Sequence, residues 1–466
     1  MGKTMDYPED CIRLTSSFRD PAGYLFRREG ILYRRITPLG EGDYDRLKAS
    51  GLATELVERG LLLSFEEKSL PGPNGEPNSR ALKPTELPFI SYPYEWCFGQ
   101  LKAAALTTLA VQQAALTHGV TLKDASAFNI QFNGYSPVLI DHLSFTTYHE
   151  NQPWVAYHQF CRHFLAPLAL MAYVDIRIGR LFRAHLDGLP LDLTSRLLPH
   201  RTLVRLPLLL HIHFHAFVLA RSKTRNTAKA SRPLLKDNLI ALLRNLEKAI
   251  RQLHVPKKQT VWSNYYDEHW YSRESFEHKR QIVFSFLDQL SPGMLWDLGT
   301  NTGDFIKLKS NPHRYTVAID DDPLVIEQLY RDVVAEKKAR LLPLCIDLTN
   351  PSPALGWNSC ERDSLQERGP ADAVLALALV HHLSITNSIP LDLIALFLSK
   401  LCHQLLIEFV PETDPQVQEM LSSREGHTPE YSEPSFEAAF GQFFRINRRI
   451  PLRNTGRVLY QMTGRM

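Results

Sequence analysis

The second half of the chain alternates short apolar runs with segments of helical spacing, and this alternation constrains the fold most. The runs cover residues 293–298, 315–320, 340–346, 371–378 and 404–410. Continuously apolar strands separated by helices are typical of a parallel sheet with helices on both faces. Residues 443–451 and 457–463 predict an antiparallel pair at the edge of that sheet. An α/β, Rossmann-like sheet of seven strands is therefore expected.

The length of 466 residues is too great for one ordinary hydrophobic core, so more than one domain is expected. We predict a mostly helical α+β domain over residues 1–256 and the α/β domain over residues 257–466. In the first domain, two short strands around Glu29-Gly30 predict a hairpin. Residues 71–88, rich in proline, glycine and asparagine, predict a loop.

Acidic residues and glycines follow the apolar runs at their carboxyl ends, where a doubly wound sheet binds its ligands. The first run leads into Asp297, Gly299, Asn301 and Gly303, and these glycines permit a tight turn close to a ligand. The second ends in Asp320, followed by Asp321, and an acidic side chain there can accept hydrogen bonds from both hydroxyls of a ribose. After the third run, Asp347 can accept a hydrogen bond from the exocyclic amine of adenine.

In order and spacing, these three strand ends, together with the end of the fourth run described below, resemble the class I methyltransferases that use S-adenosylmethionine (SAM). The resemblance implies that Asp297 and Gly299 lie beside the methionine part of SAM, that Asp320 holds the ribose and that Asp347 recognises the adenine. Asn301 stands where the family often has a central glycine. A nicotinamide-dependent dehydrogenase would have glycines at 299, 301 and 304, and Asn301 and Asp304 disfavour it. A domain that keeps the fold but not the cofactor remains an alternative.

The fourth run is followed by His381 and His382, in a sequence that resembles the His-His-Leu ending of many small-molecule methyltransferases. Histidine is the side chain best suited to act as a base near neutral pH. A structural role at the end of the strand is an equally good interpretation of the pair. We expect a small-molecule or saccharide-like acceptor, and methylation of protein or RNA stays open.

The first domain contains one specific segment, in which Asp124 is followed by Asn129 and then by Asp141. The spacing resembles the catalytic loop and metal-binding Asp of kinase-like phosphotransferases, which implies a base at Asp124 and metal ligands at Asn129 and Asp141. Three interpretations of this domain remain open: a degenerate kinase-like scaffold that binds nucleotide, an active phosphotransferase, and a purely structural domain. The whole layout also resembles bacterial two-part proteins related to host-specific nodulation proteins.

Bulk properties limit the other classes of function. A net charge of +3 gives no strong signal for nucleic acid. The six cysteines form no C-x-x-C pair and the first ten residues hold no apolar signal core, so a cytoplasmic protein is expected. Residues 203–220 are apolar but contain Arg205 and Pro207, so we expect a buried helix and no transmembrane segment, with contact at a membrane surface as the alternative. His211, His213 and His215 within it are expected to pack structurally, although a metal site is the other interpretation.

Overall fold

A computed structural model describes residues 11–71, 79–224, 235–255, 272–307, 311, 313–422 and 430–465. The chain divides into two compact units, the first comprising residues 1–257 and 355–362 and the second residues 258–354 and 363–466. The predicted domain boundary at residue 256 lies outside the described residues.

The first unit is α+β. Its strands are β1 (Cys11–Arg13), β2 (Gly23–Arg28), β3 (Ile31–Ile36), β4 (Phe65–Leu70), β5 (Ser79–Pro84), β6 (Val120–Leu122), β7 (Ile130–Asn133), β8 (Ser136–Leu139) and β9 (Phe145–Thr147). Its helices are α1 (Pro38–Ala49), α2 (Leu52–Glu58), α3 (Phe98–Thr117), α4 (Tyr157–Phe160), α5 (Ala166–Tyr173), α6 (Leu191–Leu197), α7 (Leu206–Leu208), α8 (His215–Thr224) and α9 (Lys236–Gln252).

An antiparallel sheet with the order β1-β2-β3-β5-β4 lies at the beginning of this unit. The predicted hairpin is confirmed as β2 and β3, and Glu29 and Gly30 both have positive φ in its turn. The prediction that residues 71–88 form a loop is wrong for β5, which pairs with β3 and β4 and buries Ala81 and Leu82 completely. Composition misled here because the flanking prolines and glycine mask a short buried strand.

The second unit is α/β. Its strands are β10 (Met294–Leu298), β11 (Tyr315–Asp320), β12 (Leu341–Cys345), β13 (Ala371–Ala376), β14 (Cys402–Phe409), β15 (Phe444–Pro451) and β16 (Val458–Gly464). Its helices are α10 (Arg273–Leu290), α11 (Asp304–Lys307), α12 (Pro323–Ala335), α13 (Leu391–Leu401), α14 (Pro415–Ser422) and α15 (Glu433–Phe443).

The seven strands form one sheet with the order β12-β11-β10-β13-β14-β16-β15, which confirms the expected seven-stranded sheet. The first five are parallel, and β16 and β15 continue the sheet antiparallel. Strands β11 and β12 lie on one side of β10, and the later strands β13 and β14 lie on the other. The carboxyl end of β10 is therefore at the topological switch point of the sheet. A ligand site is expected there.

The apolar stretch at residues 203–220 is only partly buried. It forms a short 3-10 turn, α7, a π-helical turn (Leu209–Phe214) and α8. Ile212 is fully buried, but the Phe214 side chain is 55% exposed and that of Leu206 60%. The expectation of a buried helix is therefore wrong for one side of this stretch. None of the described helices is long and apolar enough to cross a bilayer.

Candidate functional site

The turn that follows β10 is folded against the end of β11. The backbone N–H groups of Gly299 and Thr300 both donate to the carbonyl of Ile319, at 2.9 and 3.0 Å. Gly299, Asn301 and Gly303 all have positive φ, a conformation that glycine adopts freely and asparagine tolerates. The central asparagine therefore fits the backbone that the turn requires, in the place where class I methyltransferases often have a glycine.

Gly303 allows this turn to approach helix α12 closely. A Cβ atom at that position would lie 2.9 Å from Cδ1 of Leu329. Gly303 thus lets the turn pack against the sheet and helix α12. The opposite face of the turn stays beside the switch point.

Asp320 is the residue that connects the two strand ends. Its Oδ2 accepts the backbone N–H of Asn301 at 2.9 Å, and its Oδ1 accepts that of Asp322 at 3.0 Å. Burial raises the pKa of Asp320 to about 6, against the effect of these two donors. Each carboxylate oxygen keeps a second lone pair, which can accept a hydroxyl hydrogen.

Asp297 lies one strand away and is almost completely buried. Its Oδ2 accepts the hydroxyl of Thr300 at 2.7 Å. Burial raises the pKa of Asp297 to about 7, and the charge of Asp320 adds to the rise while Thr300 and Lys279 oppose it. The site thus contains two carboxyl groups that are held partly protonated near neutral pH, an arrangement that favours a positively charged ligand.

Asp321 and Asp347 stand at the same edge of the sheet but are less enclosed. Asp320 is in register with Cys345, so the ends of β11 and β12 meet, and Asp347 follows two residues later. Asp347 is half-buried, and its Oδ1 accepts the N–H and the hydroxyl of Thr349 at 2.8 and 2.6 Å. Asp321 is exposed to solvent. The structure therefore brings the predicted acids to one edge.

The two histidines after β13 differ in environment. His381 is fully buried and His382 half-buried, with ring centroids 4.2 Å apart. Burial lowers the pKa of His381 well below its usual value and that of His382 to about 4, and the charge of Arg457 acts in the same direction on both. On His381 the side chain of Gln416 acts in the opposite direction, as a hydrogen-bond partner that raises its pKa. Both imidazoles are therefore neutral at physiological pH.

A buried ionic network lies behind these histidines. Lys279 from α10 and Glu408 from β14 are 2.6 Å apart, and their side chains are 1% and 0% exposed. The Arg457 guanidinium donates from Nε and Nη2 to both oxygens of Asp414, at 2.7 and 3.1 Å, and lies 3.8 Å from Glu408. Lys279 also lies 5.0 Å from the ring centroid of Phe305, which follows the glycine turn. The sequence patterns gave no sign of Lys279, the buried partner of Glu408.

In the first unit, the predicted kinase-like residues come together but are satisfied by the protein itself. Asp141 accepts from the Arg34 guanidinium at 2.8 Å and from the hydroxyl of Ser144, whose Oγ in turn accepts the Asn129 amide at 3.2 Å. Burial raises the pKa of Asp124, and the charge of Asp141 contributes to that rise. Arg34 thus supplies the positive charge beside Asp141. No cluster of three potential metal-binding side chains occurs in the described part of the chain.

The H-x-H-x-H segment is held by neutral partners. His211 contacts the Tyr157 hydroxyl at 2.7 Å and the Asn245 amide oxygen at 2.9 Å. His213 lies between the hydroxyls of Ser195 and Thr202, at 2.8 and 2.9 Å. Burial lowers the pKa of all three histidines, that of His215 to about 4. These contacts fit structural packing.

Comparison with known proteins gives one extensive match in sequence. No family model matches the chain. Among solved structures, the N-methyltransferase NodS from Bradyrhizobium japonicum WM9 in complex with S-adenosyl-L-homocysteine covers 44% of this chain and all of its own, at 9% identity and a TM-score of 0.33. Magnesium protoporphyrin IX methyltransferase from Synechocystis PCC 6803 covers 44% of this chain and 92% of its own, at 15% identity and a TM-score of 0.32. Similarity at this level does not establish a shared activity.

The sequence match extends over both units. The nodulation protein NoeA of Rhizobium meliloti strain 1021 is 36% identical over 458 residues, which are 96% of this chain and 95% of NoeA. The predicted resemblance to nodulation-related two-part proteins is thereby confirmed. Because the identity extends over nearly the whole of both chains, the protein belongs to the family of the nodulation protein NoeA.

Proposed function

We propose that this protein is a SAM-dependent methyltransferase whose cofactor binds at the carboxyl ends of β10, β11 and β12. The observation that carries the proposal is the position of Asp320, which is tied to the glycine turn through Asn301 and still has lone pairs for two ribose hydroxyls. SAM would supply a methyl group that is already activated by its sulfonium. The protein then has to bind the cofactor and the acceptor, orient them toward each other and exclude water.

The electrostatics of the site favour SAM over a dinucleotide. Asp297 and Asp320 are both buried carboxyl groups whose ionised forms are costly without a positive partner. A ligand carrying a sulfonium and an ammonium group supplies such a partner, whereas a pyrophosphate would be repelled. We assign Gly299, Asn301 and Gly303 to the methionine side, Asp320 and Asp321 to the ribose and Asp347 to the adenine.

The acceptor side is proposed to lie between the segment after β13 and helix α14. These two parts touch, since the Thr386 hydroxyl donates to the sulfur of Met420 at 3.8 Å. His382 is the more exposed of the two histidines, so we propose that it contacts the acceptor, with His381 supporting it from within. Because its pKa is about 4, a hydrogen bond that orients the acceptor suits His382 better than strong general-base catalysis. The acceptor is proposed to be a small molecule.

Calorimetric titration of SAM tests the cofactor site. We expect binding in the micromolar range by the wild type and at least about tenfold weaker binding by Asp320→Asn. Asp372→Asn is the matched control, because Asp372 lies at the opposite end of the sheet, where it accepts the backbone N–H of Met294. A wild-type protein that does not bind SAM, or an Asp320→Asn variant that binds it normally, contradicts the proposal.

A second candidate function concerns the first unit, as a kinase-like nucleotide-binding scaffold. It is favoured by one arrangement, in which the Ser144 hydroxyl donates to Asp141 and accepts the Asn129 amide at 3.2 Å, so that two of the kinase-like residues meet. Arg34 beside Asp141 fits a scaffold that needs no metal better than an active phosphotransferase. A rise in Tm with magnesium-ATP, absent in Asp141→Asn, would support nucleotide binding, and an unchanged Tm would exclude it.

A further inference from the structure

The stretch at residues 203–220 is apolar on two sides, and only one side is covered. Leu208, Ile212 and Ala216 are buried in the first unit. Seven large apolar residues of the stretch are exposed, and we call them the apolar ridge: Leu203, Val204, Leu206, Leu210, Phe214, Phe217 and Val218. Val204 is 84% exposed, and the rings of Phe214 and Phe217 stack with centroids 6.5 Å apart. A helix that is apolar all round normally lies in a core or in contact with lipid.

The sequence that contains the ridge is strongly one-sided in charge. Residues 193–236 contain nine Lys and Arg residues and no Asp or Glu, while the rest of the chain carries 44 basic and 50 acidic residues. Arg201, Arg205 and Arg221 are exposed, and the Arg221 guanidinium lies 4.3 Å from the ring centroid of Phe217. Positive charge is therefore placed directly beside exposed aromatic and aliphatic side chains.

We propose that the apolar ridge and the arginines around it bind the surface of an anionic lipid bilayer. The ridge would enter the boundary between headgroups and acyl chains, and the arginines would contact lipid phosphates. The two features fit one occupant, since lipid offers apolar and anionic groups within a few ångströms of each other. Nucleic acid satisfies the arginines but not a ridge of leucine, valine and phenylalanine. This proposal is independent of the methyltransferase activity.

Co-sedimentation of the full-length protein with vesicles tests the proposal. We expect binding to vesicles of equal parts phosphatidylglycerol and phosphatidylcholine, weak binding to phosphatidylcholine alone, and weakening at high salt. The triple variant Leu210→Ser, Phe214→Ser and Phe217→Ser should bind at least about tenfold more weakly, because the apolar contribution is lost. Its control replaces three exposed apolar residues elsewhere, Ile12→Ser, Val155→Ser and Leu393→Ser, and should bind normally.

A second pair of variants separates position from total charge. Arg201→Gln, Arg205→Gln and Arg221→Gln should lose anionic binding, whereas Arg445→Gln, Arg448→Gln and Arg453→Gln should retain it, since these residues are also exposed. Circular dichroism and Tm confirm that each variant is folded. Failure of the wild type to sediment with either vesicle overturns the proposal, as does equal loss in variant and control. Two further outcomes also overturn the proposal. One is a wild-type dimer that becomes a monomer in the ridge variant while neither protein binds lipid, and the other is a wild-type protein that binds RNA but neither kind of vesicle.

Discussion

Lys279 Nζ lies 2.6 Å from Glu408 Oε2, and the two side chains, 129 residues apart in sequence, are almost completely withdrawn from solvent. Burial lowers the pKa of Lys279, and Glu408 opposes that shift. Each charge is tolerated because the other is present. The pair joins helix α10 to strand β14 beside the proposed cofactor site, so its integrity bears on both stability and binding.

Removing one partner of this pair should therefore be costly. We expect Glu408→Gln to lower the free energy of unfolding by about 3–5 kcal/mol, because the buried charge of Lys279 then loses the carboxylate that pairs with it. The double variant Lys279→Met, Glu408→Gln should recover part of that loss. Urea denaturation measures both, and an additive double variant would show that the ion pair is not coupled. The exposed pair Lys68–Glu66 serves as control, and its removal should leave the urea midpoint almost unchanged because solvent screens the two charges.

Asp297 should make the unliganded protein less stable as the pH rises. Its pKa is about 7 in the folded state, above the ordinary aspartate value of 3.8, so the folded state binds the proton more tightly between those values. Stability from this group is greatest at low pH and is lost as the pH rises toward 7. We expect the free energy of unfolding of Asp297→Asn to exceed that of the wild type by about 1–3 kcal/mol at pH 8. This difference should shrink toward pH 4. A difference that does not change with pH would contradict the assignment.

The affinity for SAM should depend on Asp297 and Asp320, and it should rise with pH, whereas the stability of the unliganded protein falls. As the pH rises, Asp320 and then Asp297 ionise, with pKa values of about 6 and about 7, and a positively charged ligand gains its partners. We expect the Kd to fall by about tenfold between pH 5.5 and pH 8. Calorimetry in buffers of different ionisation heat also detects the protons released. In Asp297→Asn the dependence should be shallower, and an unchanged profile would exclude a role for this residue.

His382 should influence the rate of methyl transfer without setting its pH dependence. Because its pKa is about 4, the ring stays neutral between pH 5 and pH 8. We expect His382→Ala to reduce kcat by about tenfold or more at every pH in that range. His382→Asn, which keeps a polar side chain, should restore part of the rate. A wild-type profile that rises with an apparent pKa near 6.5 and disappears in the variant would instead show a free catalytic base.

His163 predicts acid sensitivity in the first unit. Burial lowers its pKa to about 3, and its Nδ1 accepts the backbone N–H of Ala127 at 3.3 Å. Between about pH 6.5 and pH 3, the unfolded chain therefore binds a proton on this histidine and the folded state does not. The free energy of unfolding falls as the pH drops through that range. His163→Gln should flatten the dependence of Tm on pH over that range. Exposed His313, replaced in the same way, should leave it unchanged.

The sequence predicted the sheet well, because the period of its apolar runs and the acids at their ends are local signals. All seven strands were located, and Asp297, Asp320 and Asp347 meet at one edge as expected. Lys279 was missed because a lysine in an amphipathic helix gives no sign of burial until strand β14 brings Glu408 to it. The apolar ridge was misjudged for a related reason, since apolar composition does not reveal which side of a helix the rest of the fold covers.

Residues 355–362 belong to the first unit although both neighbouring stretches belong to the second. Within the first unit, Glu361 pairs with Arg19 at 2.7 Å and the Arg362 guanidinium lies 4.4 Å from the ring centroid of Phe128. The polypeptide therefore passes between the units three times. A gene fragment that ends near residue 257 would encode a first unit without residues 355–362. Because neither unit is one continuous segment of sequence, recombination at a single boundary could not exchange a complete unit. We therefore expect the two units to be inherited together.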